Sequence, residues 1–349
     1  MIDICFYLTH NAVNKTYKFF FLAEKLRKLG FSVRTILCNT EKSGVQPGEF
    51  TEQQLNDLPQ QNIFIYSKNQ MKNHLLNNTY KYFIVGCYSG GLSEIIGIAK
   101  KNGSLIIEIA TIGYNDPVEH DADINLLISK LAFKAALNKR PKRAKRAKNI
   151  HFVGSLLADD IPNTYTSDLR SIDDFRAKYG VGNRRLFIWM PGRDDLLDYD
   201  FQKSLAKHIK SKENMLMFTS HPWSTKYQKK ELARISKIIQ HIEPVDTYWA
   251  FKSMMGAIGR NTTSGIELAV LRKPILYVEN ITRRRFLEKK VTPIGFFLKD
   301  INDIKNRLRQ LELNISEEVY QRYLNKVYPA PFKPAWQRIC DFFKGIKHE

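Results

Sequence analysis

Short apolar runs alternate with amphipathic stretches along most of the chain, a pattern typical of βαβ units around a parallel sheet. The first half predicts strands at Ile2–Thr9, Phe31–Cys38, Asn62–Tyr66, Lys81–Val85 and Ser104–Ile109. Amphipathic stretches predict helices at Lys15–Leu29, Ser93–Lys101 and Ile124–Leu137. The second half predicts strands at Leu186–Met190, Met215–Phe218, Gly256–Ile258 and Ile275–Val278. The chain is therefore predicted to be an α/β protein with parallel sheets.

Polar residues directly follow three of the strands predicted for the second half. Arg193 follows the first strand, His221-Pro222 follows the second, and Thr262-Thr263-Ser264-Gly265 follows the third and begins a helix. Open α/β sheets bind ligands outside the carboxyl ends of their strands. A helix N-terminus with free amides and hydroxyl groups favours phosphate. The pattern therefore predicts a donor that carries a nucleotide monophosphate or diphosphate.

The positive charge of the chain predicts an anionic partner. Lys and Arg number 55 against 35 Asp and Glu, a formal net charge of +20 over 349 residues. Seven of the ten residues from Lys139 to Lys148 are cationic, and Arg283–Arg285 with Lys289 and Lys290 form a second cluster. Such clusters attract nucleic acid, anionic lipid or a polyanionic substrate. A single run of charge is also compatible with a solvated helix face.

Other features narrow the class of protein. The length suits two domains of ordinary size. The four cysteines show no metal-ligand spacing, so reduced thiols in a cytosolic protein are expected. The N-terminal residues predict a strand rather than a signal peptide, and no apolar run has the length of a membrane span. The first βα turn lacks the GxGxxG fingerprint, which argues against a dinucleotide dehydrogenase.

The motifs of the second half resemble those of a known fold family. His221-Pro222, followed by NTTSGIE at 261–267 and KPILYV at 273–278, resembles the C-terminal domain of GT-B glycosyltransferases that build bacterial surface polysaccharides. The motifs are similar to those of the capsule and lipopolysaccharide transferases for Kdo and sialic acid, and of the CDP-glycerol glycerophosphotransferases. Arg193-Asp194, which follows Pro191, also resembles the segment of the glycerophosphotransferases in which an arginine-aspartate pair follows a proline. The resemblance extends over about residues 150–280.

This resemblance implies a GT-B fold, in which two Rossmann-like domains face each other across a cleft. Residues 1–154 are expected to form an acceptor-binding domain and residues 155–330 a nucleotide-donor-binding domain. The boundary near Gly154 rests on the segment HFVGSLLADD, which is similar to the strand and turn at the domain crossover of GT-B proteins and UDP-sugar epimerases. Residues 331–349 are expected to form a helix that crosses back to the first domain after a proline run.

The resemblance also implies how the donor phosphate is bound. His221 is expected to donate a hydrogen bond to the phosphate as the sugar–phosphate bond breaks, with Pro222 fixing the backbone. Arg193 is expected to contact phosphate through two hydrogen bonds. The hydroxyl groups before Gly265 either cap the helix or contact phosphate, and the two roles are compatible; they belong to Thr262, Thr263 and Ser264.

Three acidic residues lie near these loops, and the sequence allows more than one role for two of them. Glu267 either complements the dipole of the helix that follows Gly265 or holds the donor ribose. Glu243 is expected to act as a base or to contact the ribose, whereas Asp246 is expected to cap a helix.

The general base that deprotonates the acceptor is left open. His10, on the first βα loop, titrates near neutral pH and is one candidate. The alternatives are the carboxylates of a loop rich in acidic residues, namely Asp116, Glu119 and Asp121.

Together these motifs predict an inverting glycosyltransferase. The first donor hypothesis is a CMP-sugar such as CMP-Kdo or CMP-sialic acid, and the acceptor a capsule or lipopolysaccharide glycan. The alternative in the same fold is transfer of a polyol phosphate from a CDP-polyol. No metal or other cofactor is expected, because basic groups and helix dipoles can stabilise the leaving nucleotide.

The basic run predicts where such an enzyme would work. We expect it to hold a cytoplasmic enzyme on the anionic inner face of the membrane, through Arg140, Lys142, Arg143, Lys145 and Arg146. The alternative from another class is a nucleic-acid-binding protein without catalysis. The sequence carries no RNA-binding motif, helix-turn-helix signature or zinc module in support of it.

Overall fold

The computed structural model of the chain consists of two units, Met1–Thr166 with Asn325–Glu349 and Ser167–Leu324. The structure describes residues 2–9, 13–39, 63–86, 92–110, 121–139, 141–161, 171–191, 198–220, 228–243, 246–259, 265–278, 295–298, 301–311 and 316–347. The division lies at Thr166, later than the boundary expected at Gly154. The second segment of the first unit begins at Asn325, earlier than residue 331, and returns the C-terminal helix to that unit as predicted.

The first unit is built on a parallel sheet in the order β3-β2-β1-β4-β5-β6-β7. Its strands are β1 Ile2–Thr9, β2 Val33–Asn39, β3 Ile63–Ser67, β4 Tyr80–Gly86, β5 Leu105–Ile109, β6 Ile124–Leu127 and β7 Ile150–Phe152. The helices between them are α1 Val13–Lys28, α2 Lys68–Asn77, α3 Ser93–Lys101, α4 Lys130–Lys139 and α5 Pro141–Ala144. This order is that of a Rossmann-like sheet with a strand added.

The second unit contains a parallel sheet in the order β10-β9-β8-β11-β12-β13. Its strands are β8 Arg185–Met190, β9 Asn214–Thr219, β10 Gln240–Ile242, β11 Gly256–Gly259, β12 Ile275–Val278 and β13 Gly295–Leu298. Its helices are α6 Ile172–Lys178, α7 Tyr199–Ile209, α8 Lys229–Ser236, α9 Thr247–Ser253, α10 Gly265–Val270 and α11 Ile304–Leu311, which follows a short 3₁₀ turn. Two helices complete the chain, α12 Glu317–Val327 and α13 Ala335–Lys347.

Both faces of the second sheet are buried, which explains why its strands appear as continuous apolar runs in the sequence. Along β8, Phe187 and Trp189 pack into a core with residues of α7, α8 and α11. The alternate residue Ile188 packs into a second core with residues of α6, α9 and α10. Successive side chains of a strand point to opposite faces, so each sheet residue needs an apolar partner above or below it.

The same two-sided burial accounts for a wrong prediction in the first unit. Residues Ile124–Leu137 were expected to be one helix, but Ile124–Leu127 is the strand β6, and the helix begins only at Lys130. A short buried apolar run has no periodicity that separates strand from helix. Here the run pairs with β5 on one side and with β7 on the other, contacts that lie outside its local sequence.

A buried carboxylate joins three distant parts of the first unit. Asp159 accepts hydrogen bonds from the backbone N–H groups of Ala335 at 3.0 Å and Trp336 at 2.8 Å, the first two residues of α13. The hydroxyl group of Tyr328 donates to the same carboxylate at 3.0 Å. The buried ammonium group of Lys18, on α1, donates to the backbone carbonyl of Asp159 at 3.0 Å. Asp159 therefore supplies the N-terminal cap of a helix that lies far away in sequence.

A glycine allows Tyr328 to reach this carboxylate. Gly154 has φ of 95°, in the left-handed region that residues with a side chain rarely adopt. A Cβ atom at this position would overlap the ring of Tyr328, which is 1% exposed and also donates a hydrogen bond to the carbonyl of Ser155 at 3.3 Å. Both the backbone angle and the close approach of the ring therefore require glycine.

The first prediction concerns this glycine. We expect Gly154→Ala to lower the free energy of unfolding by ~2–4 kcal/mol, because backbone strain and displacement of the Tyr328 ring add together. Gly103→Ala is the matched control, since Gly103 has a similar φ of 82° but open space around its Cα. The control should lose only about 1 kcal/mol in urea unfolding. Equal losses in the two variants would contradict the role of the Tyr328 ring.

The second prediction concerns pH. Burial raises the pKa of Asp159 to about 6 from its ordinary value of 3.8, against the opposing effect of its hydrogen bonds. A raised carboxyl pKa stabilises the folded protein below pH 4, and this contribution is lost as the pH rises through about 6. Asp159→Asn removes this titration. The unfolding free energy of the wild-type protein should fall relative to that of the variant, by up to about 3 kcal/mol between pH 4 and pH 7.

Urea unfolding at several pH values measures this difference. Asp123→Asn is a suitable control, because Asp123 is partly exposed at the start of β6. A constant difference between the wild-type protein and Asp159→Asn across the pH range would contradict the prediction.

Candidate functional site

The carboxyl ends of the second sheet form the edge at which a ligand is expected. Strands β9, β8 and β11 are neighbours and parallel, and they end at Thr219, Met190 and Gly259. The direction in which successive strands are added reverses between β8 and β11. Open α/β sheets bind their ligands at this reversal, outside the carboxyl ends of the strands. The ends of β8 and β11 therefore flank the candidate site.

The phosphate-binding residues predicted from sequence follow these strand ends. Arg193 follows β8, His221 and Pro222 follow β9, and the run Thr262, Thr263 and Ser264 follows β11. All six residues lie outside the described part of the chain. The described strands show that the three segments leave one edge of one sheet from adjacent positions, since neighbouring strands lie ~4.8 Å apart.

The helix predicted after the hydroxyl run is present. Gly265 is the first residue of α10, and Glu267 lies in its first turn. The carbonyl of Glu267 accepts a hydrogen bond from the N–H of Leu271 at 3.1 Å, and its side chain is partly buried. A carboxylate in the first turn complements the helix dipole, and a contact with a donor ribose stays a prediction.

A histidine that the sequence analysis did not select holds the residue before His221. The imidazole Nε2 of His241, on β10, lies 2.8 Å from the hydroxyl oxygen of Ser220. The ring also packs on Phe218, with 4.7 Å between the ring centres. Burial lowers the pKa of His241, so the ring is neutral near pH 7 and can accept from the hydroxyl group. This contact ties the end of β9 to β10.

Glu243 lies at the carboxyl end of β10 within a network centred on a lysine. The ammonium group of Lys178 contacts Glu243 Oε2 and Asp246 Oδ2, each at 2.7 Å. The hydroxyl group of Tyr179 donates to Asp246 at 2.8 Å and accepts from the backbone N–H of Glu243 at 3.0 Å. The opposing carboxylates raise the pKa of Lys178 against the effect of its burial. The network fixes the loop after β10 to the end of α6.

Two expectations change as a result. Asp246 was expected to cap a helix, but it precedes α9 without a side-chain cap, and its carboxylate contacts Lys178 and Tyr179 instead. Glu243 was expected to serve as a base or to contact a ribose. It is paired with Lys178, and β10 lies two strands, or ~10 Å, away from β8. Its place is therefore at the margin of the candidate site.

In the first unit, the structure separates the candidates for the general base. His10 directly follows β1, and Asp116 and Glu119 follow β5, but these three residues lie outside the described ranges. The ends of β1 and β5 are on one edge of the sheet, with β4 between them. Asp121 instead precedes β6 and so lies at the opposite edge.

The surroundings of Asp121 also differ from those of a base. Its carboxylate contacts the ammonium groups of Lys148 at 2.9 Å and Lys100 at 3.3 Å. Hydrogen bonds from these two lysines lower the pKa of Asp121. A carboxylate held ionised by two cations is a weak proton acceptor, which argues against Asp121 as the general base. The described residues include no group of three or more His, Cys, Asp or Glu side chains that could hold a metal ion.

The fold is found in solved structures of low sequence identity. The structure of MnaA from S. aureus with UDP matches with a TM-score of 0.62 at 12% identity, over 100% of this chain and 97% of that one. UDP-GlcNAc 2-epimerase from Neisseria meningitidis, bound to UDP-GlcNAc, matches with a TM-score of 0.64 at 11% identity, over 99% and 100% of the two chains.

A polymerase shares the same fold. The wall teichoic acid polymerase TagF, in a structure with CDPG, matches with a TM-score of 0.62 at 12% identity, over 100% of this chain and 90% of that one. No family model matches the sequence, and no curated protein matches it. At these identities the likeness shows the fold alone, which is the GT-B fold.

The third prediction tests the network around Lys178. Asp246 is 2% exposed, whereas the side chain of Glu243 is 59% exposed, although both contact the same ammonium group. Lys178→Met leaves the Asp246 carboxylate buried without its cation and should lower the free energy of unfolding by about 3 kcal/mol. Glu243→Gln removes only an exposed ion pair and should lower it by less than about 1 kcal/mol. Urea unfolding measures both free energies. A larger loss of unfolding free energy in Glu243→Gln than in Lys178→Met would contradict the prediction.

Proposed function

We propose that the protein binds a nucleotide-activated donor at the carboxyl edge of the second sheet and transfers the donor's sugar, with inversion, to a surface-glycan acceptor. The observation that carries the proposal is the strand order β10-β9-β8-β11-β12-β13. It brings the strand ends that precede Arg193, His221 and Thr262 to adjacent positions at the reversal of the sheet. A phosphate between these segments would meet a guanidinium group, an imidazole and hydroxyl groups together.

The residues of this edge have defined roles in such a transfer. The imidazole of His221 donates a hydrogen bond to the donor phosphate and neutralises charge that grows as the nucleotide leaves. Arg193 adds a second positive group on the phosphate, and Pro222 restricts the backbone that carries the imidazole. Ser220, held by His241 on the neighbouring strand, fixes the point at which this segment begins.

The acceptor hydroxyl group needs a base on the first unit. His10 directly follows the carboxyl end of β1, and Asp116 and Glu119 belong to the segment between β5 and β6. Each is a candidate. A histidine titrates near neutral pH and can accept the proton without a large shift of its pKa. A carboxylate would require a raised pKa to be an equally effective base at pH 7.

A cytidine nucleotide is the first donor hypothesis. It rests on the resemblance of the His221-Pro222 and 261–278 motifs to Kdo, sialic-acid and polyol-phosphate transferases. The match to TagF, whose solved structure contains CDPG, supports the same base. TagF also favours a variant of the proposal, in which a polyol phosphate rather than a sugar is transferred from a CDP-polyol.

Epimerisation of a UDP-sugar is a second candidate function. It is favoured by the UDP-GlcNAc 2-epimerases, which match this chain over nearly the whole length of both partners. Such a reaction requires no acceptor, and this separates it from both transfer reactions. Release of the nucleotide that occurs only when an acceptor is present indicates transfer. A changed sugar that is still attached to UDP indicates epimerisation.

The fourth prediction tests the nucleotide site. Thermal unfolding with CMP, CDP, UDP and GDP should show the largest stabilisation by a cytidine nucleotide, because a ligand that binds only the folded state raises its stability. His221→Ala should lose this stabilisation. His208→Ala is the matched control, because His208 lies in the last turn of α7, which leads to the amino end of β9.

Each other outcome has a defined meaning. Stabilisation by UDP alone would remove the cytidine hypothesis and favour epimerisation. Equal stabilisation of the wild-type protein and His221→Ala would remove His221 from the site. Failure of all four nucleotides to stabilise the protein would contradict the proposed function.

A further inference from the structure

The segment Pro141–Asn149, here called the basic turn, connects α4 to β7 and has no part in the proposed reaction. We propose that the basic turn docks the protein on an anionic lipid surface. The proposal rests on the rigidity of the turn, the exposure of its cations and its position on the sheet. It is independent of the proposed function, because none of these observations involves the nucleotide site.

Hydrogen bonds hold the backbone of the basic turn to the sheet. The N–H of Lys145 donates to the carbonyl of Pro141 at 3.0 Å, and the N–H of Lys148 donates to the side-chain oxygen of Asn125 at 2.8 Å. Asn149 has φ of 42° and donates from its side chain to the carbonyl of Asp123 at 2.9 Å. Asn125 is itself fully buried. The turn is therefore an ordered part of the first unit, and little entropy is lost when it docks.

Three cations of this ordered turn point to solvent. Lys142, Lys145 and Arg146 are exposed, whereas Ala144 between them is 1% exposed and anchors the turn to the protein. In the described part of the chain these three cations form no ion pair. Lys148 differs from them, because it contacts Asp121. The sequence from 139 to 148 contains no acidic residue, so the exposed side chains of Lys142, Lys145 and Arg146 form a positive surface beside the Lys148–Asp121 pair.

The position of the turn separates it from the predicted active-site edge. The turn leads into the amino end of β7, next to the amino end of β6. His10 follows the carboxyl end of β1, on the other edge of the same sheet. A flat partner on the basic turn therefore leaves that carboxyl edge accessible. This geometry argues against a role for the turn at the edge that carries the candidate base His10.

The composition of the turn favours lipid over nucleic acid. Single-stranded nucleic acid is usually held by cations together with aromatic side chains on which bases stack. Residues 139–149 contain no aromatic residue. Binding to an anionic bilayer requires only cations on a common face. Each cation raises the partition coefficient onto the bilayer about fivefold, which is equivalent to about 1 kcal/mol. Three exposed cations therefore account for a change on the order of 100-fold.

Vesicle co-sedimentation with the full chain tests the proposal. The wild-type protein should bind vesicles that contain phosphatidylglycerol and should not bind vesicles of phosphatidylcholine alone. The triple variant Lys142→Gln, Lys145→Gln, Arg146→Gln should partition on the order of 100-fold less onto the anionic vesicles. Lys142→Arg with Lys145→Arg keeps the charge and should bind as the wild-type protein does.

A second triple variant removes the same charge elsewhere. Lys229→Gln, Lys230→Gln, Lys237→Gln changes three exposed lysines on or next to α8 in the second unit and should retain vesicle binding. Unchanged thermal unfolding of both triple variants shows that they fold. Equal losses of binding would overturn the proposal, because net charge and not the basic turn would then be responsible.

Two further results would also overturn it. One is binding of the first triple variant at the wild-type level. The other is a higher affinity of the wild-type protein for single-stranded RNA than for the anionic vesicles, measured at 150 mM salt. At this ionic strength exposed charges are screened within about 8 Å. The vesicle experiment contains no nucleotide, so a negative result would not contradict the proposed function. In the same way, a lack of stabilisation by nucleotides would not contradict docking of the basic turn on lipid.

Discussion

The first unit depends on one buried residue, Asp159, whose carboxylate binds Tyr328 and the N-terminus of α13 and whose backbone carbonyl binds Lys18. Asp159 is 4% exposed, and an ion at such a position is stable only when hydrogen bonds replace the water that it loses. The N–H groups of Ala335 and Trp336 and the hydroxyl group of Tyr328 provide those bonds. The acid and its partners are thus mutually dependent: α13 lacks its cap without Asp159, and without α13 the carboxylate of Asp159 loses two backbone N–H donors.

Strand order plays the corresponding role in the second unit. The polar segments of that unit are far apart in sequence, and no single one identifies a ligand. The strand ends that precede them lie side by side, because β8 pairs with β9 on one side and with β11 on the other. The strand ends at the candidate site are therefore positioned by apolar residues of the sheet. His241 adds a local refinement, since it ties the end of β9 to the adjacent strand.

The sequence predicted the elements that have strong local patterns and missed the contacts that depend on distant residues. The strands Ile2–Thr9 and Ile275–Val278 were predicted with their observed bounds. The strand Ile124–Leu127 was mistaken for helix, because its identity depends on neighbouring strands. Asp246 was assigned a cap from its position before a helix, but its partner Lys178 is separated from it by 68 positions, and no local pattern reveals such a pair. The candidate site was predictable to the level of the sheet edge, since strand ends are local features.

The division of the first unit into two stretches of sequence has a consequence for synthesis. Ser167–Leu324 lies between Met1–Thr166 and Asn325–Glu349, so the ribosome completes the second unit before it makes α13. Until α13 emerges, the carboxylate of Asp159 lacks the N–H donors of Ala335 and Trp336, and the rings of Phe31 and Tyr82 lack their contact with Phe343. The unit that is begun first is thus finished last. A nascent chain cut short before Ala335 would hold a complete second unit beside a first unit that exposes its unfinished core, the kind of surface that chaperones and proteases recognise.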